Sequence, residues 1–245
     1  MESSAFRWLP RPTYFEDCLS PWIRPPLASA SVEPMLWPLP ALSLRTPDLL
    51  LRPTIEADLP AVAATLSPDV ASNPQLPRFP GLDESTSRAI SAHQSYWQSV
   101  GNWSVDGWRL DFVVVVGERI VGVQSLEGED FPVLRTVDSA SHLARDVRGR
   151  GWGKQARRAV LALAFGPLRA EYAITSGWQH NAASLGVSRA LGYKPNGESR
   201  HRSDTGQGVE TMMHLRLSRA DWEATGQAVS VEISGFERCR PLFGV

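Results

Sequence analysis

Between Arg145 and Arg158 the chain gathers five arginines and one lysine, opposed only by Asp146, around the three glycines Gly149, Gly151 and Gly153. Glycine lets a backbone approach a ligand closely and take conformations closed to residues with a Cβ. A strand that passes through such a loop into a helix turns unpaired N–H groups and the positive end of the helix dipole toward whatever sits there. Phosphate oxygens suit both features, and Arg148, Arg150 and Lys154 add charge-assisted donors. The same composition also describes a tight loop followed by a solvated basic helix face. That plainer reading is preferred for Arg157 and Arg158, and phosphate binding for the loop itself. Nucleotide hydrolysis is disfavoured, because no Gly-Lys-Ser/Thr follows a GxxxxG and the dinucleotide fingerprint GxGxxG is not met.

The basic loop is a local exception. Over 245 residues, 25 Lys and Arg face 26 Asp and Glu, so no global field draws the chain to nucleic acid or to an anionic membrane. Cys18 and Cys239 stand near opposite ends in no metal-like or CxxC spacing, which suits a reducing compartment. The N-terminal residues lack a basic segment followed by an apolar one, and no run of roughly 18 apolar residues exists. The expectation is a cytoplasmic protein with no nucleic-acid or membrane partner.

Several elements must position the loop. A strand over 139–144 leads into it. Trp152, Ala156, Ala159, Val160, Leu163 and Ala164 then recur at helical spacing up to the stop at Gly166-Pro167. Upstream, 42–45 and 49–52 read as a broken first strand, 55–66 and 84–100 as helices, and 68–80, with four prolines, as a loop. Residues 112–116 and 120–126 flank Gly117-Glu118 as a hairpin of β-branched strands. Downstream come a strand over 171–176, a helix capped by Asn181 and ended by Gly192, and a strand over 209–217. The order is mixed α and β. Ten of the nineteen prolines fall in the first 53 residues among Trp8, Trp22 and Trp37, marking 1–41 as an arm; 42–225 is the domain and 226–245 an extension.

Arg148, Gly151 and Gly153 fit the pattern Gln/Arg-x-x-Gly-x-Gly/Ala, and Asn181-Ala-Ala-Ser184 and Leu191-Gly192-Tyr193 follow it. In that order these elements resemble the GNAT superfamily of acyl-CoA-dependent N-acetyltransferases. The segment 44–53 resembles the first strand of its RimJ/RimL-like branch, and 213–222 the last strand and closing helix. The resemblance, over about residues 42–223, implies an α+β GNAT fold, with a mixed, mostly antiparallel sheet of about seven strands, flanked by helices and splayed at the acyl-CoA site.

It also implies roles. Backbone at Leu143 and Ala144 would pair with pantetheine. Arg148, Gly149, Arg150, Gly151, Trp152, Gly153 and Lys154 would hold the pyrophosphate. Asn181 and Ser184 would face the thioester, although an Asn cap with Ser in the first turn is also ordinary helix chemistry. Acetyl-CoA or another acyl-CoA would be the cosubstrate, and a peptide N-terminus the acceptor, attacking directly in a ternary complex. The alternatives are a small amine, such as an antibiotic or polyamine, and a catalytically inactive CoA-binding interaction module. Relatives are monomers or homodimers. For the proton, Asp138 stands where branch members often carry Glu, and Glu127, Glu129 and Asp130 cluster at the end of the preceding strand; for Glu129 and Asp130 a hydrophilic turn is preferred. Glu198 and Glu210 could approach the acceptor from late strands. His142 either reaches the substrate channel or is satisfied in the core. His201 and His214 match no family role, and the dispersed histidines make no metal pattern, so no metal is expected.

Overall fold

Apolar residues at a period of two, interrupted by glycine and proline turns, fold the described chain into nine strands flanked by seven α-helical segments. The structure, a computed structural model, describes residues 36–67, 79, 81–203 and 208–245, without the side chains of 228 and 229. Most of the expected arm, Cys18 and, Phe79 apart, the expected loop over 68–80 lie outside the described residues.

The elements run β1 (Ser43–Arg45), β2 (Leu50–Pro53), α1 (Leu59–Thr65), α2 (Glu84–Gly101), β3 (Trp108–Val116), β4 (Arg119–Gly128), α3 (Phe131–Leu134) and β5 (Thr136–Leu143). There follow α4 (Trp152–Phe165), β6 (Tyr172–Trp178), α5 (Ala182–Ala190), β7 (Lys194–Arg202), β8 (Val209–Ser218), α6 (Arg219–Ala224), β9 (Glu232–Ser234) and α7 (Phe236–Cys239). The sheet order is β7-β8-β6-β5-β4-β3-β2-β1-β9, and only β5 and β6 run parallel. The sheet is mixed and mostly antiparallel, as the resemblance implies, with nine strands where it implies about seven.

The extra strands lie at one edge. The expected broken first strand is a hairpin, because Thr46 turns the chain: its N–H donates to Leu49 O at 3.0 Å and its hydroxyl accepts the Leu49 N–H at 3.1 Å. β9, from the segment set apart as an extension, pairs with β1. An aromatic cluster holds that segment down. Phe243 packs edge-on against Trp108 with centroids 4.9 Å apart, and Trp103 donates its indole N–H to Leu242 O at 2.9 Å. Trp37 closes the cluster edge-on to Trp103, so the described residues from Trp37 to Val245 form one unit.

One face of the sheet is covered by α4, which buries Ala156, Ala159, Val160, Leu163 and Ala164 as its spacing requires. Arg157 is buried on that helix too, at 3% exposure. The expected solvated basic face therefore does not include it: residue 157 lies three positions from Val160 and four from Leu161, both buried, on a side turned into the protein. No helix among the described residues is long and apolar enough to cross a membrane.

Gly235 shows how tightly the C-terminal segment is fitted. Its φ is +78°, and a Cβ there would lie 2.0 Å from Ala41 O. Gly235→Ala should cost about 1–3 kcal/mol and lower the melting temperature; an unchanged melt would mean that this segment does not share the fold's cooperativity.

Candidate active site

β5 and β6 pair only at Thr136 with Tyr172, Val137 with Ala173 and Asp138 with Ile174. Beyond that rung β5 continues to Leu143 and β6 to Trp178, each held on its outer edge by β4 or β8. The two strands therefore open as a fork with fixed walls. Its backbone groups need other partners: the Thr175 hydroxyl donates to Ser139 O at 2.9 Å, and Arg148 Nε donates to Leu143 O at 3.0 Å.

At the mouth of the fork stands the glycine loop. Gly149 and Gly151 have φ near +80°, and a Cβ on either would meet nothing within 4 Å, so conformation and not crowding calls for glycine. Gly151 occupies the N-cap of α4, no side chain caps the helix, and no acidic residue lies in its first turn. Its leading N–H groups are thus left for an anion. Arg150 lies over the Trp152 ring at 5.3 Å, and Lys154 is exposed on the first turn. Gly153 packs that turn against Leu143, the last residue of β5.

On the face away from α4, charged residues line up across three strands. Arg109 stands opposite Glu127, Asp111 opposite Ser125, and Glu127 opposite Asp138. Arg109 bonds Asp111 at 3.1 Å, Glu127 at 2.8 Å and Ser125 at 3.1 Å, and the Ser125 hydroxyl donates to Asp111. Burial pushes Glu127 upward from the usual carboxylate range; Asp138 and Asp111 add to this, and Arg109 opposes it. Burial also raises Asp138, against the Ser139 N–H and the charges of Arg157, Arg109 and His214. A half-buried carboxylate with a raised pKa beside an open fork is suited to taking a proton.

The family model for the acetyltransferase (GNAT) domain matches residues 48–194, three-fifths of the chain. The chain belongs to the GNAT acetyltransferase family. Among solved structures, the acetyltransferase is similar to Mycobacterium smegmatis RimJ in complex with CoA-disulfide, at 16% identity and TM-score 0.58, covering 80% of this chain and 98% of that one. It is similar also to the ribosomal-protein-S5-alanine acetyltransferase from Vibrio fischeri, at 18% identity and TM-score 0.56, covering 74% and 98%. A spermidine N-acetyltransferase SpeG chimera from Vibrio cholerae and hSSAT matches at 13% identity and TM-score 0.54, covering 72% and 98%. At these identities the likeness shows the fold, and enzymes of this family use acetyl-CoA.

The acetyltransferase brings most of the residues singled out in the sequence to this fork. Asp138 and Glu127 face each other at its apex, Leu143 forms one arm, and residues 148–154 stand at its mouth. Ala144 lies just past β5 and sends its N–H to Val121 O at 2.8 Å. Asn181 caps α5, accepting the Ser184 N–H at 3.0 Å. Ser184 Oγ lies near Gly177 of β6, 3.6 Å from where a Cβ would stand, on the other arm. His142, half-buried, has a hydrogen-bond partner in Thr65: the Thr65 hydroxyl donates to Val62 O, so His142 Nε2 donates to Thr65 at 2.9 Å. Burial pulls its pKa down to about 4, leaving it neutral near pH 7.

Other arrangements are formed only by the fold. Arg109 and Asp111 alternate within a strand whose neighbours are apolar, and that period was the available signal. Ser176, His214, Ser199 and His201 form a hydrogen-bonded chain, with steps of 2.8, 2.8 and 2.7 Å, reaching from β6 to β7. It joins two histidines distant in sequence, which spacing could not reveal. No group of three or more His, Cys, Asp or Glu among the described residues is arranged to hold a metal ion.

The raised carboxylates oppose folding once ionised, whereas Asp58 favours it. Burial pushes Asp58 up, but hydrogen bonds from Arg52 and Ile55 and the Arg52 charge outweigh that and hold it below its ordinary value. Asp58 therefore stabilises above its unfolded pKa, and this is lost as pH falls through the folded one; Asp138 and Glu127 have the opposite sign. In urea melts at pH 7, Asp138→Asn should leave stability unchanged or raise it by up to about 1 kcal/mol, while Asp58→Asn should lower it by about 1–2 kcal/mol. A large loss in Asp138→Asn would show that Asp138 is structural.

Proposed function

We propose that this acetyltransferase moves an acetyl group from acetyl-CoA to the primary amine of a protein or peptide N-terminus. The reading rests chiefly on one arrangement: the fork connects an uncapped, glycine-led helix start at one end to a pair of raised carboxylates at the other. The likeness in fold to RimJ and to a ribosomal-protein acetyltransferase supports the acceptor class.

Acetyl-CoA supplies the activated acyl group when bound. The chain's own residues then have separable tasks. Arg148, Gly149, Arg150, Gly151, Trp152, Gly153 and Lys154 hold the pyrophosphate through backbone N–H groups and charge. The edge of β5 up to Leu143 offers backbone partners to pantetheine, whereas Ala144 spends its N–H on Val121 O and its carbonyl on the Val147 N–H; Asn181 and Ser184 border the fork from the start of α5. Asp138 receives the proton of the incoming ammonium, directly or through one water, and Glu127 opposite it keeps the site negative and attractive to a cation. Two close carboxylates titrate as a pair, so the pH profile reports them together. Activity should rise as the pair loses its proton.

The row Asp111, Glu127 and Asp138 also favours a second reading, a small polycationic acceptor such as a polyamine, and the chimera named as a spermidine acetyltransferase shares the fold. Thiol release from acetyl-CoA, measured against peptide N-termini and against polyamines, separates the two. Turnover with peptides, falling about 10²–10⁴-fold in Asp138→Asn with little change in CoA affinity, is the expected result. Turnover with polyamines alone would move the acceptor to the second reading. Calorimetric CoA binding without turnover on any acceptor would favour an inactive CoA-binding module, and failure to bind CoA would refute the proposal.

A further inference from the structure

Arg157 is the basic residue of this stretch that turns inward, and its surroundings are unusual for a cation. It is 3% exposed, no carboxylate pairs with it among the described residues, and its Nε–H is buried without a hydrogen-bond partner. Such burial is costly: a guanidinium without a carboxylate in contact gives up hydration for weaker hydroxyl partners, and an apolar side chain of similar volume would pack there at lower cost. The flanking core positions of α4, Ala156, Ala159 and Val160, are filled that way.

What Arg157 touches explains its place. Its Nη1 donates to Thr175 Oγ1 of β6 at 3.1 Å and its Nη2 reaches Ser141 Oγ of β5 at 3.4 Å. Thr175 in turn donates to Ser139 O. Backbone pairing of the two strands ends at Asp138 and Ile174, so on the next rungs Thr175 and Arg157 replace it with side-chain bonds. The guanidinium spans the fork from the α4 side, while Asp138 faces it from the other. We propose that Arg157 is a positioning residue of the acyl-transfer site, which fixes the width of the fork by bridging Thr175 to Ser141 and supplies the positive charge that Asp138 meets across the opening.

The inference rests on the reading of the fork as the acyl-CoA site and of Asp138 as the base. The charged and titratable groups facing Asp138 are Arg109 on β3, Glu127 on β4, Arg157 on α4, Tyr193 after α5 and His214 on β8. Of these, Arg109 is already shared between Asp111 and Glu127 by direct ion pairs. Tyr193 is buried and uncharged, its ionisation opposed by burial. His214 is engaged by the hydroxyls of Ser176 and Ser199. Arg157 is therefore the permanently charged group near Asp138 that no carboxylate in contact neutralises.

Three variants test the two roles apart, read in the ligand-free protein by the NMR titration of the Asp138 carboxyl carbon and by calorimetric titration with CoA. Arg157→Met should raise the Asp138 midpoint by about half a pH unit or more, and weaken CoA binding by about threefold or more, without lowering the melting temperature. Arg157→Lys keeps the charge and loses the planar fork, so it should restore the midpoint but not the affinity. Thr175→Val breaks the bridge and keeps the charge, and should weaken CoA while leaving the midpoint in place. If Arg157→Met leaves both midpoint and affinity unchanged, or if its only effect is a lower melting temperature, the proposal is wrong. Should Arg157→Met fail to fold, the other two variants still decide, because a lysine that shifts the midpoint as a neutral residue would, together with a valine that leaves CoA affinity intact, overturns both roles. Asp138→Asn turnover, measured alongside, reports separately on the base: full activity there refutes the base and leaves the midpoint result standing.

Discussion

Backbone hydrogen bonding between β5 and β6 stops at Asp138 and Ile174, and most of what surrounds the site follows from that break. A sheet interior that loses its ladder leaves N–H and C=O groups to be satisfied otherwise. The outer edges of both strands stay paired to β4 and β8, so the fork does not close or drift. Side chains take some of the freed groups: Thr175 holds Ser139 O, and Arg148 holds Leu143 O. The same opening gives α4, which starts beside the end of β5, a direct line to the carboxylates at the apex. A continuous sheet would have separated the anion-binding helix start from the proton acceptors.

The electrostatics of the fork work against stability and toward chemistry. Glu127 and Asp138 face each other, partly buried, and both are pushed upward by burial. Arg109 neutralises part of the row through Asp111 and Glu127, which fixes the geometry without quenching Asp138. By contrast, charges away from the fork pair in ways that favour the fold, as Arg52 does with Asp58 at 2.6 Å. The acetyltransferase places its unfavourable charges where the proposed reaction needs them, and the two buried or half-buried arginines beneath and beside the fork belong to the same pattern.

Local patterns were readable in the sequence, and contacts between distant strands were not. The glycine loop, the strand before it and α4 follow from composition and helical spacing, because each depends on neighbours within a few residues. The opposition of Glu127 and Asp138 could be anticipated only from resemblance, since register across β4 and β5 is set by the hairpin and by α3 between them. Arg157 was misplaced as solvated because charge was weighed above position; its place in the helical repeat pointed inward. A late strand at Glu198 was expected without bounds, because the residues of β7, Lys194–Arg202, are mostly exposed and polar and carry no alternating apolar signal. β9 is three residues long and owes its conformation to pairing with β1 and to the aromatic cluster around Phe243, both far away in sequence.

The central claim is that the fork and the loop at its mouth take up acyl-CoA, and amide hydrogen exchange measured with and without CoA addresses it most directly. Slower exchange on binding is predicted at the amides of residues 139–144 and 148–154, with the edge between β3 and β2 unaffected. Saturation with CoA that leaves those amides unprotected, or protects another surface instead, would contradict the account.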